Sequence, residues 1–137
     1  MTVSRVLPAK LPPRFGNAQR ATCTVGDGSS EVVVAEQFFL RLRGLAGLDA
    51  DAIVPLLFPR CRSLHTFGMR APIDVVWLEL GPAGEGEIRA VETAIAPRRS
   101  VRAPRGASRR GTAALELPAG DAEALGMASG VRLTIKS

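Results

Sequence analysis

The chain has 137 residues, 46% of them hydrophobic, and a formal charge of +5; this is the length of one ordinary domain, able to bury roughly two thirds of its unfolded surface with no staple. With five Phe, one Trp and no Tyr, the core must be aliphatic and poor in stacking surfaces. Two cysteines exclude a disulfide framework and a zinc ligand set, and the longest apolar run, AIVPLLFP, is far too short to span a bilayer.

The opening stretch MTVSRVLPAKLPPRFGNAQRA is broken by prolines and basic residues before any signal-peptide core can form. The expectation is a soluble cytoplasmic protein without a membrane partner, in which Cys23 and Cys61 are reduced thiols. Residues 1–20 hold Pro8, Pro12, Pro13 and four basic residues without an acid, which predicts a basic, loosely ordered arm. Residues 21–137 then form a single compact β-rich domain. ATCTV and EVVVA flank GDGSS as two short strands flank a turn. EQFFLRLRGL spaces Phe38, Phe39, Leu42 and Leu45 as one apolar helix face turned to the sheet, with Gly44 and Gly47 to end it.

Pro55 within IVPLLF predicts an edge strand or a bulge. PIDVVWLEL is the firmest strand, apolar almost without interruption and so buried on both faces over part of its length. EIRAVETAIA alternates as its half-buried antiparallel partner does. The next stretch, PRRSVRAPRGASRRG, carries six arginines and no acid around a short strand at Val101. TAALELP is a strand, AGDAEALGMASG a short helix ended by glycine, and VRLTIK a final strand. Short strands outnumbering helices predict an α+β, mainly β chain: a small antiparallel barrel or sandwich with one or two short helices.

Candidate chemistry gathers in CRSLHTFGM, which holds the only histidine. Cys61, His65 and Met69 are the ligand types of a blue-copper site, but that site takes two imidazoles, so no metal and no cofactor is expected. Cys61, His65 and Asp74 are also the residue types of a cysteine-nucleophile triad. Residues four apart on an extended segment lie about 13 Å apart, so a triad requires a turn between them. Without catalysis, Cys61 is a core thiol, Met69 a core filler and His65 a half-buried ring bonded to backbone or to Asp74. Asp74, set beside VVWL, needs a partner, and His65, Thr66 and Arg70 are nearest in sequence. For the arginine stretch, Arg98, Arg99, Arg102 and Arg105 are the candidates for contacting phosphates or other anions, although no aromatic residue is interleaved for base stacking.

HTFGMRAPIDVVWLEL resembles the signature segment of the domain of unknown function 192 family. LRGLAGL resembles that family's Arg-Gly-Leu-Met element, and ALELPAGDAEALGMASG its Leu-Glu-Leu-Pro-Ala-Gly segment, in the same order. The resemblance spans roughly Val32 to Ile135 and implies a compact barrel or sandwich with short helices; it implies no activity. Two positions depart from the pattern: Val131 follows Gly130 where the family continues with Asp, and Ala46 follows Leu45 where it has Met. The leading reading is a non-catalytic binding or accessory module. Its cleft, bordered by residues 61–74, takes a small molecule, peptide or protein, with His65, Thr66, Met69, Arg70 and Asp74 as contacts. The alternatives are an enzyme using Cys61, His65 and Asp74, and nucleic-acid or anion binding through the Arg98–Arg110 loop.

Overall fold

A computed structural model of the chain describes residues 2–137. Strand β1 (Ser4–Arg5) precedes a hairpin of β2 (Gln19–Val25) and β3 (Gly28–Val34), whose turn at Gly26 and Asp27 is tighter than the sequence suggests. Helix α1 (Phe38–Arg43) leads through a loop to β4 (Leu56–Phe58) and β5 (Ser63–His65). The antiparallel pair β6 (Ile73–Leu80) and β7 (Glu85–Ile95) follows, then β8 (Ser100–Arg102) and β9 (Thr112–Pro118). Helix α2 (Asp121–Ala124) and β10 (Arg132–Lys136) complete the chain.

Seven of these strands form a closed ring in the order β3, β2, β10, β7, β6, β9, β4 and back to β3; of the barrel and sandwich expected from the sequence, the chain is a barrel. All its pairings are antiparallel except the seam, where Val33 and Val34 meet Leu56 and Leu57 in parallel. The seam corrects the expectation for Pro55. Its carbonyl accepts the Val33 amide at 2.9 Å, and the strand that follows is paired on both sides, so β4 closes the sheet and is no edge. Proline is tolerated because it stands just before the ladder, where its missing N–H is not needed.

Closure divides the apolar residues into two layers. Ala21, Cys23, Val25, Val32, Leu57, Val76, Leu78, Ile88, Ala113, Leu115, Leu117 and Leu133 come from all seven strands and fill the interior, with Ala122 of α2 and Leu125 just after it as a lid. The opposite faces of four neighbouring strands carry Val33, Leu56, Phe58, Ile73, Val75, Trp77 and Ala114. A second layer covers them: Leu40 of α1, Leu45, Cys61, Met69, Val101 and three residues of the N-terminal segment, Leu7, Leu11 and Phe15. Coverage on both sides accounts for the unbroken burial of β4 and of most of β6 and β9, whereas β2 and β10 alternate because their outer faces meet solvent.

Residues 2–20 therefore do more than their prolines and arginines suggest. Phe15 is 0% exposed, the Leu7 amide donates to Glu31 at 2.7 Å, and Arg14 donates to the carbonyls of Gly44 and Ala46 at 2.9 and 2.7 Å. Helix α1 also differs from expectation. Leu40 and Leu45 face the core, while Leu42, two positions and so about 200° of helical turn from Leu40, is 66% exposed. The side chains of Phe38 and Phe39, assigned to the same face from sequence, lie outside the described residues.

Candidate functional site

The outer layer contains a cavity of about 240 Å³ between α1 and the 61–69 segment. Gly44 forms one wall with φ +50°, where an added Cβ would stand 3.3 Å from the Phe58 ring; glycine adopts that turn without strain and lets α1 end against β4. Leu45, Phe58 and Met69 supply apolar surface, Leu42 and Phe67 lie at the mouth, and Arg41, Arg43, Cys61, Ser63, His65 and Glu116 bring the heteroatoms. Arg41 is fixed in place, its guanidinium donating to the carbonyls of Ala35, Pro59 and Arg60.

Glu116 is the residue that the motif reading missed. On β9 it lies between Leu56 of β4 and Val75 of β6, on the covered outer face, and is 4% exposed. Among the described residues nothing donates a hydrogen bond to its carboxyl group. Burial without a compensating charge pushes its pKa up to about 8, so at neutral pH the protonated form predominates. The signal was present in TAALELP: a lone acid in an otherwise apolar strand, the same incongruity that singled out Asp74.

Asp74 belongs elsewhere. It faces the side of β6 opposite to Val75, is fully buried, and accepts the backbone amides of Ala94, Gly120 and Ala122 at 2.9, 3.0 and 3.1 Å. Its partners are thus the β7 end and the start of α2, not His65, Thr66 or Arg70. This takes apart the expected triad. His65 is exposed and not half-buried; its Nδ1 accepts the Phe67 amide at 3.3 Å and its ring lies 5.4 Å from that of Phe67. The Cys61 thiol donates to the Ser63 carbonyl at 3.2 Å, and burial, the largest influence, raises its pKa, which disfavours the nucleophilic thiolate.

Of the five contacts expected for a ligand, only His65 and Met69 border the cavity. Thr66 is buried as a stitch to the arginine stretch: its hydroxyl donates to the Ala96 carbonyl at 2.7 Å and accepts the Arg99 amide at 2.8 Å. Arg70 pairs at 3.1 Å with Asp49 on the surface. Among the described residues no three of His, Cys, Asp and Glu come close enough to share a metal ion.

Arg98, Arg99, Arg102 and Arg105 are all exposed. Strand β8 pairs with β5, setting Arg102 opposite Ser63, and a shallow cleft brings Arg102 together with Arg60 and Arg62, two arginines from outside the expected stretch. None of these six forms an ion pair among the described residues, where the salt bridges are Arg5–Asp121, Arg70–Asp49 and Arg89–Glu87. No described helix is long and apolar enough to cross a membrane.

The fold is similar to that of solved proteins. A crystal structure of a protein of unknown function from Novosphingobium aromaticivorans DSM 12444 superposes with a TM-score of 0.63 at 18% identity, over 93% of this chain and 92% of that one. A protein from Sinorhizobium meliloti 1021, described as a candidate transcription regulator, superposes with a TM-score of 0.60 at 23% identity, over 85% of this chain and 92% of that one. No curated protein matches the sequence. The model of the family described as Uncharacterized ACR, the domain of unknown function 192, matches residues 21–135, and the chain belongs to that family.

Proposed function

We propose that the protein is a non-catalytic binding module whose site is the cavity between α1 and the 61–69 segment. The observation that carries this reading is Glu116, a nearly enclosed carboxyl group at the cavity wall with no protein donor. No fully enclosed side-chain oxygen among the described residues lacks a partner, so the Glu116 carboxyl keeps its small remaining exposure at the cavity it lines, and an apolar residue there would avoid the cost of desolvating an acid. A volume of about 240 Å³ lies just below the range for drug-sized ligands, so the occupant is a fragment-sized molecule or one side chain of a partner. The module works in the cytoplasm, where Cys23 and Cys61, both free, stay reduced.

The single histidine provides the test. In a fragment screen followed by NMR, a ligand of this cavity shifts the His65 ring and Met69 methyl signals together and in a saturable way. Fragments that bind only elsewhere, leaving both signals unmoved, remove the reading.

A second reading is favoured by the unpaired guanidinium groups around the shallow cleft: Arg60, Arg62 and Arg102, with Arg98, Arg99 and Arg105 nearby, bind a polyanion such as nucleic acid. Counterion release then makes the affinity fall steeply with salt. Replacing Arg60, Arg62 and Arg102 together with Gln should remove most of that dependence, and salt-insensitive binding would eliminate this role. The name of the Sinorhizobium protein adds little, because likeness at 23% identity speaks to fold alone.

A further inference from the structure

The cavity's polar groups are lopsided. The guanidinium of Arg41 is committed to three carbonyls, the Cys61 thiol to the Ser63 carbonyl, and His65 Nδ1 to the Phe67 amide. On the buried part of the wall this leaves the pair of Glu116 oxygens and the sulfur of Cys61, a weak acceptor; the groups still free to donate, on Arg43, Ser63 and the second ring nitrogen of His65, belong to exposed residues. A second cavity, of about 220 Å³ beneath Pro104–Ala107, shows the opposite situation: its carboxylate, Glu79, already accepts bonds from Ser108 and Thr112. Of these two cavities, the first is the one whose carboxyl group still lacks a donor among the described residues.

We infer that the cavity takes a cationic nitrogen group, an ammonium, amidinium or guanidinium, on a small apolar body, with Glu116 as its counter-charge. The inference rests on the cavity being a binding site and names the class of ligand. The apolar body lies against Leu45, Phe58 and Met69, and the cation turns a lone buried carboxyl group into a hydrogen-bonded ion pair. Charged or titratable groups facing Glu116 are few: Arg41 from α1, already bound to carbonyls, and Cys61, held as a thiol by burial. Arg43 and His65 also line the cavity but are exposed, so the Arg43 charge is screened by solvent.

Titration calorimetry with benzamidine, benzamide and benzoate, three probes of nearly one shape, tests the class. Benzamidine should bind at least about tenfold more tightly than either of the others. Its affinity should rise about tenfold per pH unit below the Glu116 pKa of about 8 and level off above it, because the cation binds the carboxylate and a proton must leave. In Glu116→Gln the preference and the pH slope both disappear. If that variant fails to fold, the slope and the proton release in the unaltered protein still decide.

N-acetyl-argininamide binding more tightly than benzamidine would place the same cation on a peptide side chain and supports the inference. Equal binding of benzamide, or a pH slope that survives in Glu116→Gln, overturns the cationic class while leaving the cavity a site. Tightest binding of benzoate does the same, and makes Arg43 the anchor. No binding of any probe overturns the class and removes support from the site together.

Discussion

The two faces of one sheet treat a buried acid in opposite ways. Inside the barrel, Asp74 accepts three backbone amides and holds α2 over the opening as a lid. On the covered outer face, Glu116, on the neighbouring strand β9, has no donor among the described residues and a pKa raised to about 8 by burial. The amides that meet Asp74 stand outside the regular ladders, at Ala94 with its positive φ near the end of β7 and at the start of α2, where backbone donors are free to turn to a carboxylate. The outer layer is assembled from loops, a short helix and the N-terminal segment, and it closes around a gap. One acid belongs to the architecture and the other faces a space the protein has left open.

Glu116→Gln tests that contrast most strongly. Between the ordinary carboxyl range and pH 8, the folded state holds a proton that the unfolded state has released, so stability falls as pH rises through that window. The loss should be on the order of 4 kcal/mol between pH 5 and pH 8. Urea denaturation at the two pH values should show this fall in the unaltered protein and a nearly flat profile in the variant, which is then more stable at pH 8. A flat profile in both would mean that Glu116 finds a partner in solution.

Asp74→Asn should act in the other direction, lowering stability by about 3 kcal/mol, since the amide nitrogen must face backbone N–H groups that now lack an acceptor. An unchanged denaturation midpoint would show that the lid does not depend on this acid. The thiols sharpen the comparison. Cys23 points into the interior, where burial pushes its pKa to about 12, while Cys61 borders the outer cavity. Alkylation by iodoacetamide should modify Cys61 at least about tenfold faster, through opening of the outer layer alone, and equal rates would mean that the two layers open as one unit. The smallest effect belongs to Leu42→Ala, which should change stability by no more than about 0.5 kcal/mol. Thermal unfolding checks this, and a larger loss would place Leu42 inside the core.

What was legible in the sequence follows from the range of the interactions involved. The β6–β7 pair, the β2–β3 hairpin, the strand at Val101 and the short α2 are set by local periodicity and turn residues, and they stand close to where the pattern puts them. Pro55 misled because nothing near it reveals that β4 meets β3 and β9 from distant parts of the chain. The partners of Asp74 are 20, 46 and 48 residues away, beyond the reach of sequence neighbours. Two residues of CRSLHTFGM, His65 and Met69, border the cavity, yet the acid at its wall comes from β9, visible only as a charge in an apolar strand. Leu7, Leu11 and Phe15 were hidden by the prolines around them, although they recur every four residues.

The ring has a consequence for how the protein folds. Strand β10 pairs with β2, joining Ile135 to Cys23, so the barrel closes through a contact between segments distant in sequence, of the kind that forms slowly. Until β10 docks between them, β2 and β7 each present an unpaired edge, a template on which a strand of another chain could pair.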